Sequence, residues 1–198
     1  MKQRNQLSLL AKTDFSAALE LATSMAGTRE RIQSLGWVLR YAPAKQVPSV
    51  LDSALDVARS PHDDYYEPAM ALAWPLRALH ETDNASLMPA TVSVAVELAR
   101  NVSPTSSRAE CLILLLQAAF PAGMRTVDPV IDTLLTHCAG DDHWRVVRAF
   151  VDAALFVNGV DADRAHQIAE LIPDGKKRRA SLARLDAGEK SEPRQFFW

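Results

Sequence analysis

The sequence contains nearly the same five residues three times, as ALELA at 18–22, ALDVA at 54–58 and AVELA at 95–99. Each copy is followed by a polar gap and then by another apolar stretch. Self-similarity at a spacing of tens of residues is typical of stacked repeat proteins, in which each unit supplies one supersecondary element. The pattern therefore predicts a chain built from repeats.

Apolar residues around the first two copies recur at helical spacing. Strand-like alternation of β-branched residues does not persist in any segment, which favours an all-α fold. Because Ala lets neighbouring helices approach closely, we expect each unit to be a helical hairpin stacked on the next. The i, i+3, i+4, i+7 pattern is carried by Phe15, Ala18, Leu19 and Ala22 and again by Val50, Leu51, Ala54, Leu55 and Ala58.

Turn-forming residues divide the chain into ten predicted helices. Asp14, Asp128 and Asp161 are predicted N-caps, and Pro129 is predicted to open a helix. Pro75 lies inside the fourth helix and predicts a kink near residues 71–74. The predicted pairs are 14–25 with 29–42, 48–59 with 65–80, 86–101 with 106–119, 128–138 with 143–157, and 162–172 with 175–187.

The architecture of residues 14–187, including FSAALELATSMAGTRERIQSLGWVLRYA at 15–42, resembles helical-hairpin solenoids of the HEAT and tetratricopeptide kinds. The irregular spacing is closer to the HEAT pattern. The resemblance implies a right-handed α-solenoid of about five antiparallel hairpins, with second helices on the concave side. It also implies a scaffold that binds other proteins. We expect residues 1–188 to form one helical-repeat domain and residues 189–198 a C-terminal tail.

Composition excludes a strongly basic protein. Lys and Arg number 22 against 24 Asp and Glu, so the formal charge is −2 and nucleic-acid binding is disfavoured. Cys111 and Cys138 show no CxxC spacing and lie in apolar runs, as buried free thiols do. We predict a cytoplasmic protein with no membrane span, no cofactor and no bound metal.

Two similar tetrapeptides mark a candidate binding surface. WVLR at 37–40 and WPLR at 74–77 begin 37 residues apart, close to the repeat spacing, so they should lie side by side on adjacent second helices. Trp with Arg is the composition of interface hot spots. We expect Trp37, Arg40 and Arg77 to be exposed and make no prediction about the exposure of Trp74. In the alternative interpretation, each Trp packs between neighbouring hairpins and each Arg extends to water. The predicted partner-binding residues are Trp37, Arg40, Tyr41, Trp74, Arg77 and His80.

The leading hypothesis is a non-catalytic protein–protein interaction module, such as an adaptor, a chaperone or a toxin-neutralising partner, that binds through the concave surface. No catalytic residues are predicted. A first alternative is a metal-dependent hydrolase that uses His62, Asp63, Asp141, Asp142 and His143. A second is a nucleic-acid-binding HEAT-like protein that uses Lys176, Lys177, Arg178, Arg179 and Arg184 with Arg40 and Arg77.

The C-terminal part of the sequence contains a candidate phosphorylation site and a short aromatic run. RRAS at 178–181 resembles a basophilic kinase site at Ser181, although a solvated helix face has the same composition. The run Phe196–Trp198 carries three large apolar residues that each favour burial. We expect this run to cap the last hairpin rather than to dock on a partner.

Overall fold

The computed structural model describes residues 2–197, with side chains from residue 6 onward. Within these residues there is no β-strand, and the fold is all-α, as predicted. Two 3₁₀ turns lie at Ala85–Leu87 and Phe120–Ala122. The described helices are α1 (Lys2–Thr13), α2 (Phe15–Thr23), α3 (Thr28–Leu39), α4 (Val47–Arg59), α5 (Tyr66–Ala71), α6 (Ala73–Glu81), α7 (Met88–Arg100), α8 (Thr105–Ala119), α9 (Met124–Cys138), α10 (Trp144–Asn158), α11 (Ala162–Glu170) and α12 (Gly175–Asp186).

All ten predicted helices are present, and the fourth is divided as Pro75 predicts. Leu72 separates α5 from α6, and Pro75 lies in the first turn of α6, where a missing N–H costs little. The sequence interpretation missed α1, whose Leu7 and Ala11 are buried against the rest of the fold. The confirmed kink places Trp74 at the start of a new helix.

Helix starts follow the predicted caps in two cases of three. Asp14 accepts a hydrogen bond from the backbone N–H of Ala17, and Asp161 caps α11 in the same way. The prediction for Asp128 and Pro129 is wrong, because the chain turns at Gly123, with φ 94°, and α9 already begins at Met124. Asp128 is thereby left to bind Arg164 of α11 at 3.0 Å.

The helices pack mainly with their neighbours in sequence. The second helix of each predicted pair also contacts the second helix of the next, in the order α3, α6, α8, α10 and α12. We call the surface formed by α3, α5, α6, α8 and α10 the second-helix face. The buried apolar residues form one core cluster that extends from Leu7 to Phe197.

A close approach on this surface joins α3 to α6 at a glycine. A Cβ on Gly36 would lie 2.8 Å from the Cβ of Trp74 and 2.9 Å from the Trp74 carbonyl carbon. Only glycine allows the two helices to meet at this distance. Gly36 therefore fixes the spacing between the two helices that carry the repeated Trp and Arg residues.

Within residues 2–197, no helix combines the length and the apolar character that crossing a bilayer requires. Cys111 and Cys138 are both free and buried, as their apolar surroundings predicted.

Candidate functional site

The two Trp–Arg tetrapeptides lie side by side, as their spacing predicted. Trp37 and Arg40 are separated by one turn at the end of α3, and Trp74 and Arg77 by one turn of α6. Because Gly36 packs directly against Trp74, the two pairs form a continuous surface. We call these four residues the Trp–Arg platform.

The residues that follow α12 turn back along α10. Gly188 adopts φ 74° just after the end of α12. The Asn158 side-chain amide then donates to the carbonyl of Glu189, and Arg184 pairs with the Glu189 carboxylate. The backbone N–H of Ser191 donates to the carbonyl of Leu155 in α10. We call residues 189–197 the tail segment; its first residues are fastened to α10 and α12.

The far end of the tail segment lies on the Trp–Arg platform. The Phe196 ring meets Trp74 edge to face with centroids 5.5 Å apart, and Phe197 meets Trp37 at 4.8 Å. Phe196 is 1% exposed and Phe197 is 8% exposed. Burial of each Phe contributes about 1.5–3 kcal/mol, and each edge-to-face pair adds about 0.5–1.5 kcal/mol. These two rings are the principal anchors of the tail segment.

Each arginine of the platform covers the Phe on its own Trp. The Arg40 guanidinium lies 4.8 Å from the Phe197 ring centroid, and that of Arg77 lies 5.9 Å from the Phe196 centroid. The Glu81 carboxylate holds both arginines, at 2.9 Å from Arg40 Nε and 3.1 Å from Arg77 Nε. The platform thus presents two equivalent aromatic subsites, each built from one Trp and one Arg.

Two expectations about these residues are wrong. Trp37 is 3% exposed rather than a surface anchor, because Phe197 covers it, and Trp74 is also buried. Arg40 and Arg77, expected to be exposed with Trp37, are only partly exposed, because both pair with Glu81. The aromatic run does not cap the last hairpin, because Phe196 and Phe197 pack on Trp74 of α6 and Trp37 of α3. Trp198, which the same prediction included, lies outside the described residues.

The remaining predicted partner-binding residues flank the platform. Tyr41 follows α3, and its ring faces Lys12 Nζ at 5.7 Å and the Arg40 guanidinium at 5.8 Å. His80 lies half-buried on α6. Within residues 2–197, the aromatic and cation–π contacts of Phe196 and Phe197 include neither residue. Their partner-binding role stays a prediction.

Between α10 and the platform, the tail segment passes a cavity of about 250 Å³. Glu110 and Arg145, which both line this cavity, form an ion pair with 3.3 Å between Arg145 Nε and the carboxylate. Burial raises the pKa of Tyr66, with the charge of Glu110 adding to the effect, and burial also raises the pKa of Asp152. The sequence interpretation missed this cavity, which is lined by Tyr66, Met70, Glu110, Ile113, Leu114, Gln117, Arg145, Arg148, Ala149, Asp152 and Arg194.

The residues of the metal-dependent hydrolase hypothesis have local structural contacts. His62 lies 3.2 Å from Ser60 Oγ, and His143 caps α10 by accepting from the backbone N–H of Arg145. The Asp141 carboxylate accepts from the backbone N–H of His143. In the part of the chain that the structure describes, no three His, Cys, Asp or Glu side chains form a metal-binding group. The arrangement of Asp63 and Asp142 therefore lends this hypothesis no support.

The basic residues of the nucleic-acid hypothesis lie on two separate parts of the fold. The cluster Lys176–Arg184 lies on α12, while Arg40 and Arg77 lie on α3 and α6 and bind Glu81. Ser181, predicted as a kinase site, is 3% exposed and faces the core side of α12. A kinase therefore has no access to its hydroxyl in the folded protein.

Comparison with known proteins gives a likeness of fold. No family model matches the chain, and no match was found among curated proteins. The structure of Ton1535 from Thermococcus onnurineus NA1 is similar, with a TM-score of 0.59 at 14% sequence identity over 94% of this chain. This chain spans 58% of the length of Ton1535. At this identity the likeness concerns the helical fold alone.

Proposed function

We propose that this protein is a non-catalytic protein-interaction module that binds an extended segment of its partner along the second-helix face. In this proposal the fold is a right-handed α-solenoid of about five hairpins, and the second-helix face is its concave side. The buried free thiols of Cys111 and Cys138 suit a reducing compartment such as the cytoplasm.

The order of the helix contacts supports the solenoid interpretation. Second helices α3, α6, α8, α10 and α12 contact one another in sequence order, and first helices α7 and α9 also contact each other. A stack of hairpins gives this pattern, because each unit buries its apolar face against the next. Extended surfaces of such stacks are suited to binding extended polypeptide segments.

The observation that carries the proposal is the path of the tail segment. A non-helical stretch of the chain runs from α10 to α3 and inserts two aromatic side chains into the Trp–Arg platform. Trp and Arg dominate the energetics of protein interfaces. The second-helix face therefore already holds a polypeptide segment in the manner proposed for a partner.

Site-specific photo-crosslinking in the native host tests the proposal. A photoreactive residue at Gln117, which lines the cavity on α8, is compared with one at Asp52, exposed on first helix α4. We expect a protein partner to crosslink from position 117 and to be competed by excess unmodified protein, while position 52 gives no saturable product. Equal crosslinking from both positions, or no saturable product at either, would overturn the proposal.

A further inference from the structure

We infer that the second-helix face recognises a partner segment carrying two adjacent aromatic residues, and that the tail segment occupies the same two subsites until such a segment displaces it. The inference deepens the proposed function and rests on it. It assigns the kind of partner from the chemistry of the Trp–Arg platform.

The two subsites select aromatic rings by geometry. Each offers an indole for an edge-to-face contact and a guanidinium over the ring, and the two sites are joined through Gly36. A guanidinium over a ring is favourable because the ring face carries the negative part of the quadrupole. Aliphatic side chains gain neither contact, so the pair of sites fits a pair of aromatic residues.

The tail segment is held at its two ends and is loosely attached between them. Residues 192, 194 and 195 are exposed, and only after them are Phe196 and Phe197 buried. Within residues 2–197, no hydrogen bond joins residues 192–197 to the helices. The platform contacts are therefore side-chain contacts, which a segment from another protein with the same aromatic pair can reproduce.

A basic residue near the pair adds to this specificity. The Arg194 guanidinium lies 5.5 Å from the Phe196 ring centroid, on a ring that Arg77 also contacts at 5.9 Å. Arg194 also lines the cavity, in which the carboxylates of Glu110 and Asp152 already pair with Arg145 and Arg148, so the preference for a basic residue rests on its contact with the aromatic ring. The expected partner motif is thus an arginine or lysine, one further residue, and two adjacent aromatic residues.

Because the tail segment is tethered, it competes at a high local concentration. A short flexible tether gives an effective concentration on the order of millimolar, which falls roughly as the −3/2 power of tether length. Lengthening the tether therefore opens the platform without altering any residue in it. The test uses the full chain with about 30 Gly and Ser residues inserted between Ser191 and Glu192.

The probe is a fluorescein-labelled, amidated peptide of residues 189–197, EKSEPRQFF, and binding is measured by anisotropy. We expect the lengthened variant to bind it about tenfold more tightly than the parent protein, from the longer tether. The same insert after Gly140, in the exposed turn between α9 and α10, is the matched control and should bind as the parent does. A peptide with Gly and Ser at every position except Arg, Phe and Phe should bind within about threefold of the tail peptide.

Three results would overturn the inference: equal affinity of the parent and lengthened proteins, equal binding of EKSEPRQFF and EKSEPRQAA, or loss of the Gly/Ser peptide. Concentration-dependent dimers of the lengthened variant by light scattering would show instead that the occupant is the tail of a second copy. The crosslinking experiment distinguishes this inference from the proposed function. If a partner crosslinks saturably at position 117 and excess EKSEPRQFF does not compete with it, the proposed function stands and the recognition of an aromatic pair is overturned.

Discussion

The Phe197 ring meets the Trp37 indole at an interplanar angle of 77°, and Phe196 meets Trp74 at 84°. The same contact is thus made twice, on α3 and α6, which pack against each other. The repeated tetrapeptides WVLR and WPLR supply matching subsites, and one short stretch of chain fills both.

Replacing Phe196 or Phe197 with alanine should destabilise the fold by about 2 kcal/mol. This loss is smaller than the about 3–5 kcal/mol of a Phe deleted from a rigid core, because the tail segment detaches instead of preserving a cavity. The loss of stability in the double variant should be well below the sum of the two single losses, because removing either ring releases the other. Urea denaturation of the three variants measures this, with Gln195→Ala, at an exposed position, as the neutral control. Additive losses would show that the two rings act independently.

Trp37→Ala should cost about 3–5 kcal/mol, as large truncations in a core do. Trp144 is the matched control, because it is 60% exposed and its replacement by alanine should change stability by less than about 0.5 kcal/mol. Both variants are compared by chemical denaturation. A Trp37 variant as stable as the parent would mean that the indole contributes to recognition and not to packing.

The added methyl of Gly36→Ala would clash with the backbone of α6 and force α3 away, at a cost of about 3 kcal/mol. Alanine gains about 1 kcal/mol over glycine inside a helix, so the net destabilisation should be about 2 kcal/mol. At Gly159 a Cβ would meet only the flexible end of Lys190, at 3.4 Å, so Gly159→Ala should be neutral or mildly stabilising. Thermal melting separates the two variants, and an unchanged Gly36→Ala would contradict the close approach.

Protonation of His166 should tighten the contact between α11 and α12. Its Nδ1 lies 2.8 Å from the Ala162 carbonyl and its Nε2 lies 2.8 Å from the Asp186 carboxylate. The hydrogen bond to Ala162 and then that to Asp186 raise the pKa of His166, because both ring nitrogens donate only in the charged form.

Because the pKa of His166 is raised in the folded state, the stability that its protonation contributes is complete below the unfolded pKa of about 6.5. That stability is lost as the pH rises through the folded pKa. The difference in melting temperature between the parent and His166→Gln should therefore be larger near pH 5.5 than near pH 8.5. His137→Gln, at an exposed position on α9, is the control. A difference in melting temperature that grows with pH would contradict a stabilising role of protonated His166.

Neither cysteine should react with a disulfide reagent in the folded protein. Burial raises the pKa of Cys138 to about 11 and raises that of Cys111 further, so little thiolate forms near pH 8. Unfolding in guanidinium should release two reactive thiols per chain, which a colorimetric thiol assay counts. Rapid labelling of either residue under native conditions would contradict the buried environment.

The helices were predictable because their signals are local. Pro75 marked the division at Leu72, and Asp14 and Asp161 marked helix starts, since a cap or a proline acts within one turn. The prediction at Asp128 was wrong because an Asp followed by Pro129 is typical of a helix start. In the structure the turn is at Gly123, five residues earlier, and Pro129 lies inside α9. The first helix was not predicted because its apolar run, LSLLA at 7–11, spans less than two helical turns.

The candidate site was predictable in part. The spacing of Trp37 and Trp74 placed both on adjacent helices, and the aromatic run at 196–198 was expected to need burial. What joins these two features is a contact between residues about 160 positions apart, and no local pattern encodes such a partner. Trp37 is buried because Phe197 covers it, so its burial could not be predicted without knowledge of that long-range contact.

The path of the tail segment also changes how the helix stack should unfold. Helices that contact mainly their neighbours behave as a one-dimensional chain, whose terminal units can fray while the rest stays folded. The contacts of Ser191 with Leu155 and of Phe197 with Trp37 span that chain from α10 to α3 and so couple helices that are not adjacent in its order. The protein should therefore unfold in one cooperative transition. Once the tail segment is released, fraying of the outer hairpins and faster hydrogen exchange there should precede global unfolding.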